Sequence, residues 1–221
     1  MPSTTYLLQG PRVGVRHVRR EDYEELAVLA RESAEMLQRW LPAREPTREA
    51  FEARLKRFEQ PTHEGFVICL QDTGAIVGGI NVNNIVRGAV QSGTLGYTAY
   101  VSTTGRGYMT DGLELVIQLA FGKLKLHRLE ANIQPENTRS LNLVKRLGFR
   151  REGYSPNFQF INGAWRDHER WAITVEMARA DPVAPPALRR TPPYGPLAPP
   201  RDAASRPPAA SPGSAAGSAP T

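Results

Sequence analysis

Between a stretch rich in β-forming residues and a long amphipathic run stands Thr104-Gly105-Arg106-Gly107-Tyr108-Met109. Two glycines two residues apart let a backbone approach an anion closely, and the unpaired N–H groups that open the following helix favour phosphate at that place. A dinucleotide fingerprint would want a third glycine where Thr110 stands, and a P-loop would want Gly-Lys-Ser/Thr; both are missing. On its own the pair of glycines reads equally as a tight turn or as a phosphate cradle. At a fixed distance follow Asn137-Thr138-Arg139-Ser140 and then Arg146-Leu147-Gly148-Phe149. Other chemistries find little support. His17, His63, His127 and His168 show no paired ligand spacing, so no metal is expected. Cys69 is the single cysteine, which excludes an internal disulfide and suits a reducing compartment; its neighbours Phe66, Val67, Ile68 and Leu70 mark it as a buried structural thiol rather than a nucleophile.

The surrounding pattern indicates which elements must position those residues. Val13, Val15 and Val18 alternate as a first strand, with Asp22 placed to cap a helix carrying Leu26, Leu29 and Ala30. A second helical stretch runs through Met36, Leu37 and Trp40, and a third follows Thr47 with Phe51, Leu55 and Phe58. Three strands come next, at 66–70, 76–85 and 90–101, turning at Asp72 to Gly74 and at Arg87-Gly88. Leu113, Val116, Ile117, Ala120 and Phe121 recur as on a helix face, after which Leu129, Ala131 and Ile133 alternate as a strand. A short helix over 139–147 stops at Gly148, and strands at 158–161 and 165–175 flank the hairpin signal Asn162-Gly163. The expected class is mixed α/β, not a doubly wound sheet.

With 40% hydrophobic and 23% charged residues, a collagen, a coiled coil and a wholly disordered chain are excluded. Residues 181–221 hold 12 of the 19 prolines and a single aromatic, Tyr194, too little apolar area to offset the entropy of ordering. The expectation is one domain over residues 1–180 followed by a disordered Pro/Ala-rich tail. Without the tail's four Arg and two Asp, 24 basic residues face 20 acidic ones, interleaved throughout. That is no nucleic-acid footprint, so direct nucleic-acid binding is not expected. Neither a secretory signal nor an apolar run long enough to span a bilayer is found, and the cytoplasm is the default location.

Taken together and in order, the 104–109 turn, Asn137 to Ser140 and Arg146 to Phe149 resemble the GNAT superfamily of acetyl-coenzyme A dependent N-acetyltransferases. More narrowly, Leu95-Gly96-Tyr97, Gly105 to Met109, His127-Arg128, Pro135 to Ser140, Arg146 to Tyr154 and Gly163 to His168 are similar to its branch that acetylates the N-terminal alanine of ribosomal proteins. The resemblance spans Val13 to about Val175. It implies a central, mostly antiparallel twisted sheet flanked by helices, with a splayed strand pair holding acetyl-CoA as cosubstrate and no metal. Two departures from the family pattern stand out: Thr104 replaces the usual Gln or Arg, and Met109 replaces a small residue, which the ribosomal-protein branch tolerates. Many relatives carry a proton-donating tyrosine seven residues after the helix Asn, where this chain has Val144. In the ribosomal-protein branch a serine three residues after the Asn is given that role, and Ser140 is in place.

Acetyl transfer requires removal of one proton from an amine, stabilisation of an oxyanion and supply of a proton to a thiolate. By the resemblance, the backbone of Ala99, Tyr100 and Val101 pairs with the pantetheine and holds the acyl oxygen. The turn from Thr104 through Gly105, Arg106, Gly107, Tyr108 and Met109 takes the pyrophosphate, and Asn137, Asn142 and Lys145 complete the cofactor set. Ser140 is either the donor to sulfur or a first-turn cap. Glu130 is either the general base, by strand parity with Asn132, or a solvated or salt-bridged carboxylate. Tyr97 either lines the acyl pocket or belongs to the core. An α-amine has a pKa of about 7.7 to 8.0 against about 10.4 for lysine, so an N-terminal acceptor needs the weaker base. The expected acceptor is therefore a protein N-terminus, with a small amine such as an antibiotic, a polyamine or an amino-acid conjugate as the alternative, and a binding module without turnover as a third reading. Oligomeric state stays open, a homodimer among the options.

Overall fold

The structure is a computed structural model that describes residues 5–43 and 45–180. The expected tail lies outside the described residues. Eight strands form one sheet: β1 (Leu8–Gln9), β2 (Val13–His17), β3 (Glu64–Leu70), β4 (Ile76–Val86), β5 (Ser92–Ala99), β6 (Arg128–Ile133), β7 (Arg150–Ile161) and β8 (Ala164–Thr174). Their order is β1-β2-β3-β4-β5-β6-β8-β7. Every neighbouring pair is antiparallel except β5 and β6. The helices are α1 (Tyr23–Glu32), α2 (Ala34–Leu37), α3 (Arg48–Phe58), α4 (Tyr108–Gly122), α5 (Thr138–Arg146) and α6 (Val175–Ala180). Among the described residues no helix is long and apolar enough to cross a membrane.

Strand β3 explains how the layers assemble. Its residues alternate between two buried faces, which is why Phe66 to Cys69 read as an unbroken apolar run. Phe66 and Ile68 join Val13, Val15, Leu113 and Val116 in the larger core, under α4. Val67 and Cys69 join Val18, Leu26, Phe51 and Tyr100 in the smaller core, under α1 and α3. Cys69 is fully buried, and burial pushes its thiol up to about 11, so the thiolate a nucleophile needs is suppressed. The smaller core covers only the β2 to β4 side of its face, leaving the face of β5, β6 and β8 on that side open to a cleft.

The cleft begins where the one parallel pair ends. Strands β5 and β6 are in register only over Ser92 to Thr94 with Arg128 to Glu130. Farther on, β5 stays with β4 as far as Ala99, while β6 stays with β8 as far as Ile133. The two strands therefore part, and the β6-facing edge of β5 beyond Thr94 has no strand beside it.

Several local expectations differ from the structure. Strand β5 spans Ser92–Ala99 rather than 90–101, because a 3₁₀ turn over Val101–Thr103 follows buried Tyr100. The last hairpin starts at Arg150, eight residues before the expected 158, since its first half is almost wholly exposed and carries no apolar alternation. Strand β1 and helix α6 were not expected. Asp22 does not cap α1 through its side chain; its carboxylate instead accepts two hydrogen bonds from the buried Arg16 guanidinium, both at 2.7 Å.

Candidate active site

The space opened by the splay is a cleft of about 1120 Å³. At one end stands the glycine turn. Gly105 and Gly107 have φ of 77° and 81°, the left-handed region that favours glycine, and Gly107 is the N-cap of α4. The first intrahelical bonds run from Thr110 and Asp111 N–H to the Gly107 carbonyl, so the N–H groups ahead of them have no place in the helix ladder. Arg12 anchors the turn from behind. It donates to the Asp111 carboxylate at 2.8 and 3.0 Å and to the Arg106 carbonyl at 2.9 Å, and it lies over the Tyr108 ring at 5.3 Å. The Cβ of any residue replacing Gly107 would stand 3.0 Å from the Arg12 guanidinium.

Across the cleft, α5 presents Arg139, Ser140, Asn142, Leu143 and Arg146. Spacings of three, four and seven put Arg139, Asn142 and Arg146 on one helical face. Asn137 starts that helix, its side-chain oxygen accepting from the Ser140 N–H at 3.1 Å. The first-turn cap is thus Asn137, not Ser140. Ser140 neighbours the Tyr97 hydroxyl, which is buried without a hydrogen bond of full geometry. Burial pushes Tyr97 up to about 12, with Ser140 opposing the shift, so this hydroxyl keeps its proton through the neutral range.

The sheet forms the floor. Register pairs Thr94 with Glu130, Glu130 with Ala172 and Asn132 with Arg170, and paired residues share a face. The open face therefore carries Asn81, Asn83, Thr94, Gly96, Glu130, Asn132, His168 and Arg170, all lining the cleft. Glu130 accepts from Arg128 at 2.9 Å and from Arg170 at 3.4 Å. Met36, Leu37, Trp40 and Leu41 close the far rim with Phe158 and Gln159. Asn162 fastens that rim at the hairpin tip, where its φ is 48°. Its side-chain oxygen accepts from Ala43 N–H at 2.8 Å, and its amide donates to the Gln38 carbonyl at 2.6 Å and the Leu41 carbonyl at 3.2 Å.

The structure brings Tyr97, Ala99, Thr104, Gly105, Gly107, Tyr108, Met109, Glu130, Asn137, Ser140 and Asn142 together around one cleft. Other expected residues stand elsewhere. Val101 donates its N–H to the Ser33 hydroxyl at 2.9 Å, and the Tyr100 side chain belongs to the smaller core. Lys145 lies 5.5 Å over the Trp171 ring, on a face of α5 away from the cleft. Sequence reasoning passed over Arg139, Arg146, His168 and Arg170. The seven-residue spacing of the first two and the alternation of the last two were signals available to it. Among the described residues no group of acidic, histidine or cysteine side chains is placed to hold a metal ion.

A cleft between diverging parallel strands, with helix N–H groups and arginines at one end and a polar sheet face at the other, is the layout of a group transferase that keeps a phosphorylated carrier and an acceptor on opposite sides. The chain belongs to the acetyltransferase (GNAT) domain family, whose model matches residues 12–150. It is 34% identical over 171 residues to the ribosomal protein uS5-alanine N-acetyltransferase of Escherichia coli, covering 74% of this chain and 88% of that one. A probable N-acetyltransferase of Bacillus subtilis is 31% identical, with 76% and 96% covered. The structure of Mycobacterium smegmatis RimJ in complex with CoA-disulfide superposes with a TM-score of 0.72 at 29% identity, covering 82% of this chain and 91% of that one. A spermidine N(1)-acetyltransferase of Escherichia coli matches over 81 residues only, 37% of this chain and 44% of its own length, at 30% identity. The chain is accordingly an N-acetyltransferase of the GNAT type.

Proposed function

We propose that the enzyme moves an acetyl group from acetyl-CoA to the N-terminal α-amine of a protein, a ribosomal protein being the class its relatives indicate, and that it does so in the cytoplasm by direct attack. The observation that carries this reading is the charge of the acceptor side. Glu130 is the one carboxylate among the described residues lining the cleft, and it is held between Arg128 and Arg170. A polyamine brings further ammonium groups that need carboxylates, and this cleft offers them arginines. An N-terminal peptide brings one α-ammonium followed by neutral amides. Those amides suit Asn81, Asn83, Asn84, Gln134 and Gln159, whose side chains both donate and accept.

The residues present fit the cosubstrate. The N–H groups opening α4 and the guanidinium groups of Arg139 and Arg146 are donors for its phosphates, and the free edge of β5 can pair with an extended amide-containing arm. When bound, acetyl-CoA supplies an acetyl thioester and a thiolate leaving group. Ser140, with the protonated Tyr97 hydroxyl beside it, holds the proton that sulfur requires.

Thiol release from acetyl-CoA, measured with a peptide beginning in alanine and with spermidine, tests the reading. A kcat/KM at least about tenfold higher for the peptide, a difference of ~1.4 kcal/mol, is expected. A preference for spermidine would overturn it.

A further inference from the structure

The acetyl-transfer reading leaves the acceptor's proton without a destination, because Glu130 is already ion-paired to two arginines. His168 is the titratable side chain in the cleft that this chemistry has not used. It lies on β8 two residues from Arg170, on the same polar face as Glu130 and Asn132, and only 3% of it is exposed. Its Nδ1 is 3.0 Å from the Arg166 carbonyl. A carbonyl can only accept, so Nδ1 carries the proton and the Nε2 lone pair of the neutral ring is left over. Among the described residues no hydrogen bond uses Nε2. The Phe158 ring packs on the imidazole at 5.4 Å and fixes its plane.

We infer that His168 is the catalytic base, accepting through Nε2 the proton of the acceptor ammonium on the sheet side of the cleft. The inference rests on the acetyl-transfer reading. In the step, one ammonium proton moves to Nε2 and the freed nitrogen lone pair forms the C–N bond to the acetyl carbonyl. As the C–S bond breaks, the second proton leaves the nitrogen through the Ser140 hydroxyl, which takes it up while giving its own to sulfur, and the imidazolium later loses its proton to water. Burial lowers the His168 pKa below the usual histidine range, against the Arg166 carbonyl, Asp167 and Glu136, which favour the charged ring. The groups around it are the Phe158 ring and Ser155 of β7, Asn132 of β6, Arg166, Asp167 and Arg170 of its own strand, and Glu136 beyond β6, while Glu130 stands farther along β6, opposite Ala172. The ring is thus a neutral base at pH 7 and is lost as a base when the pH falls through its lowered pKa. Such a base matches an α-amine, whose pKa of about 7.7 to 8.0 is nearer to histidine's than is that of lysine.

The test uses the full chain, with His168→Asn, which keeps a donor for the Arg166 carbonyl, and His168→Gln in parallel should either variant lose its fold. Wild-type turnover of the alanine peptide is measured first; a silent wild type overturns the acetyl-transfer reading itself. At pH 7 kcat/KM for this peptide should fall about 100- to 10,000-fold, the range of a positioned acid–base group, with the KM for acetyl-CoA unchanged. The loss should shrink as the pH rises above the amine pKa. It should nearly vanish for a peptide whose first residue is trifluoroalanine, because that amine is already neutral at pH 7. An equal loss for both peptides at every pH, or no loss in a folded variant of an active enzyme, would overturn the assignment.

Discussion

The side-chain oxygen of Asn137 accepts the backbone N–H of Ser140 at 3.1 Å, so one residue caps α5 and the hydroxyl of the other is left to the cleft beside Tyr97. The two roles that local sequence allowed for Ser140 are thereby divided between two side chains. Ser140→Ala should lower kcat by roughly ten- to ten-thousand-fold with little change in melting temperature or in the KM for acetyl-CoA. Asn137→Ala should instead cost about 1 kcal/mol of stability. A Ser140→Ala enzyme with full kcat and reduced stability would return the cap to Ser140.

Gly107 carries a left-handed backbone at the start of α4, and a Cβ there meets Arg12. Gly107→Val should therefore disturb the turn at one end of the cleft and leave the acceptor side alone. A rise of about tenfold or more in the KM for acetyl-CoA is expected, ~1.4 kcal/mol of binding, with the acceptor KM nearly unchanged. Unaltered cofactor affinity would remove the turn from the phosphate site.

The fold was legible where a periodicity of two or 3.6 coincided with burial. Val13 and Val15, the Phe66 to Leu70 run and the Leu113 to Phe121 stripe each announce the side that faces a core. The first half of β7 was not legible, because this edge strand is open to solvent and nothing selects apolar side chains there. Nor could the chain order reveal that Asp22 turns back to Arg16, since a capping position and a buried ion pair ask for the same residue type. In the cleft, the glycine turn and the Asn137 to Ser140 segment were readable as motifs. Arg139, Arg146 and His168 acquire their place only from helix phase and cross-strand register, which a linear motif does not encode.

The Arg16–Asp22 pair offers a stability test of that correction. Both side chains are under 10% exposed, at 9% and 8%, and are joined by two hydrogen bonds. Asp22→Ala strands a buried guanidinium and should cost about 3 to 5 kcal/mol in chemical denaturation. A loss of only about 1 kcal/mol is what an ordinary helix cap would give.

At the other end of the cleft, Asn162 ties the β7–β8 hairpin to the segment after α2 through three hydrogen bonds. Asn162→Gly tolerates the positive φ and deletes only the ties, whereas Asn162→Ala adds strain of about 1 to 2 kcal/mol. Both variants should raise the acceptor KM and spare the KM for acetyl-CoA, which kinetics with each substrate varied in turn will separate. A wild-type acceptor KM in Asn162→Gly would mean that the rim does not shape the acceptor site.

The most direct measurement is mass spectrometry of a peptide that begins with alanine and carries an internal lysine, after incubation with the enzyme and acetyl-CoA. Fragment ions should place a single acetyl group on the alanine α-amine and leave the lysine unmodified. Acetylation of the lysine side chain with a free α-amine, or an unmodified peptide beside readily acetylated spermidine, would contradict an N-terminal acceptor.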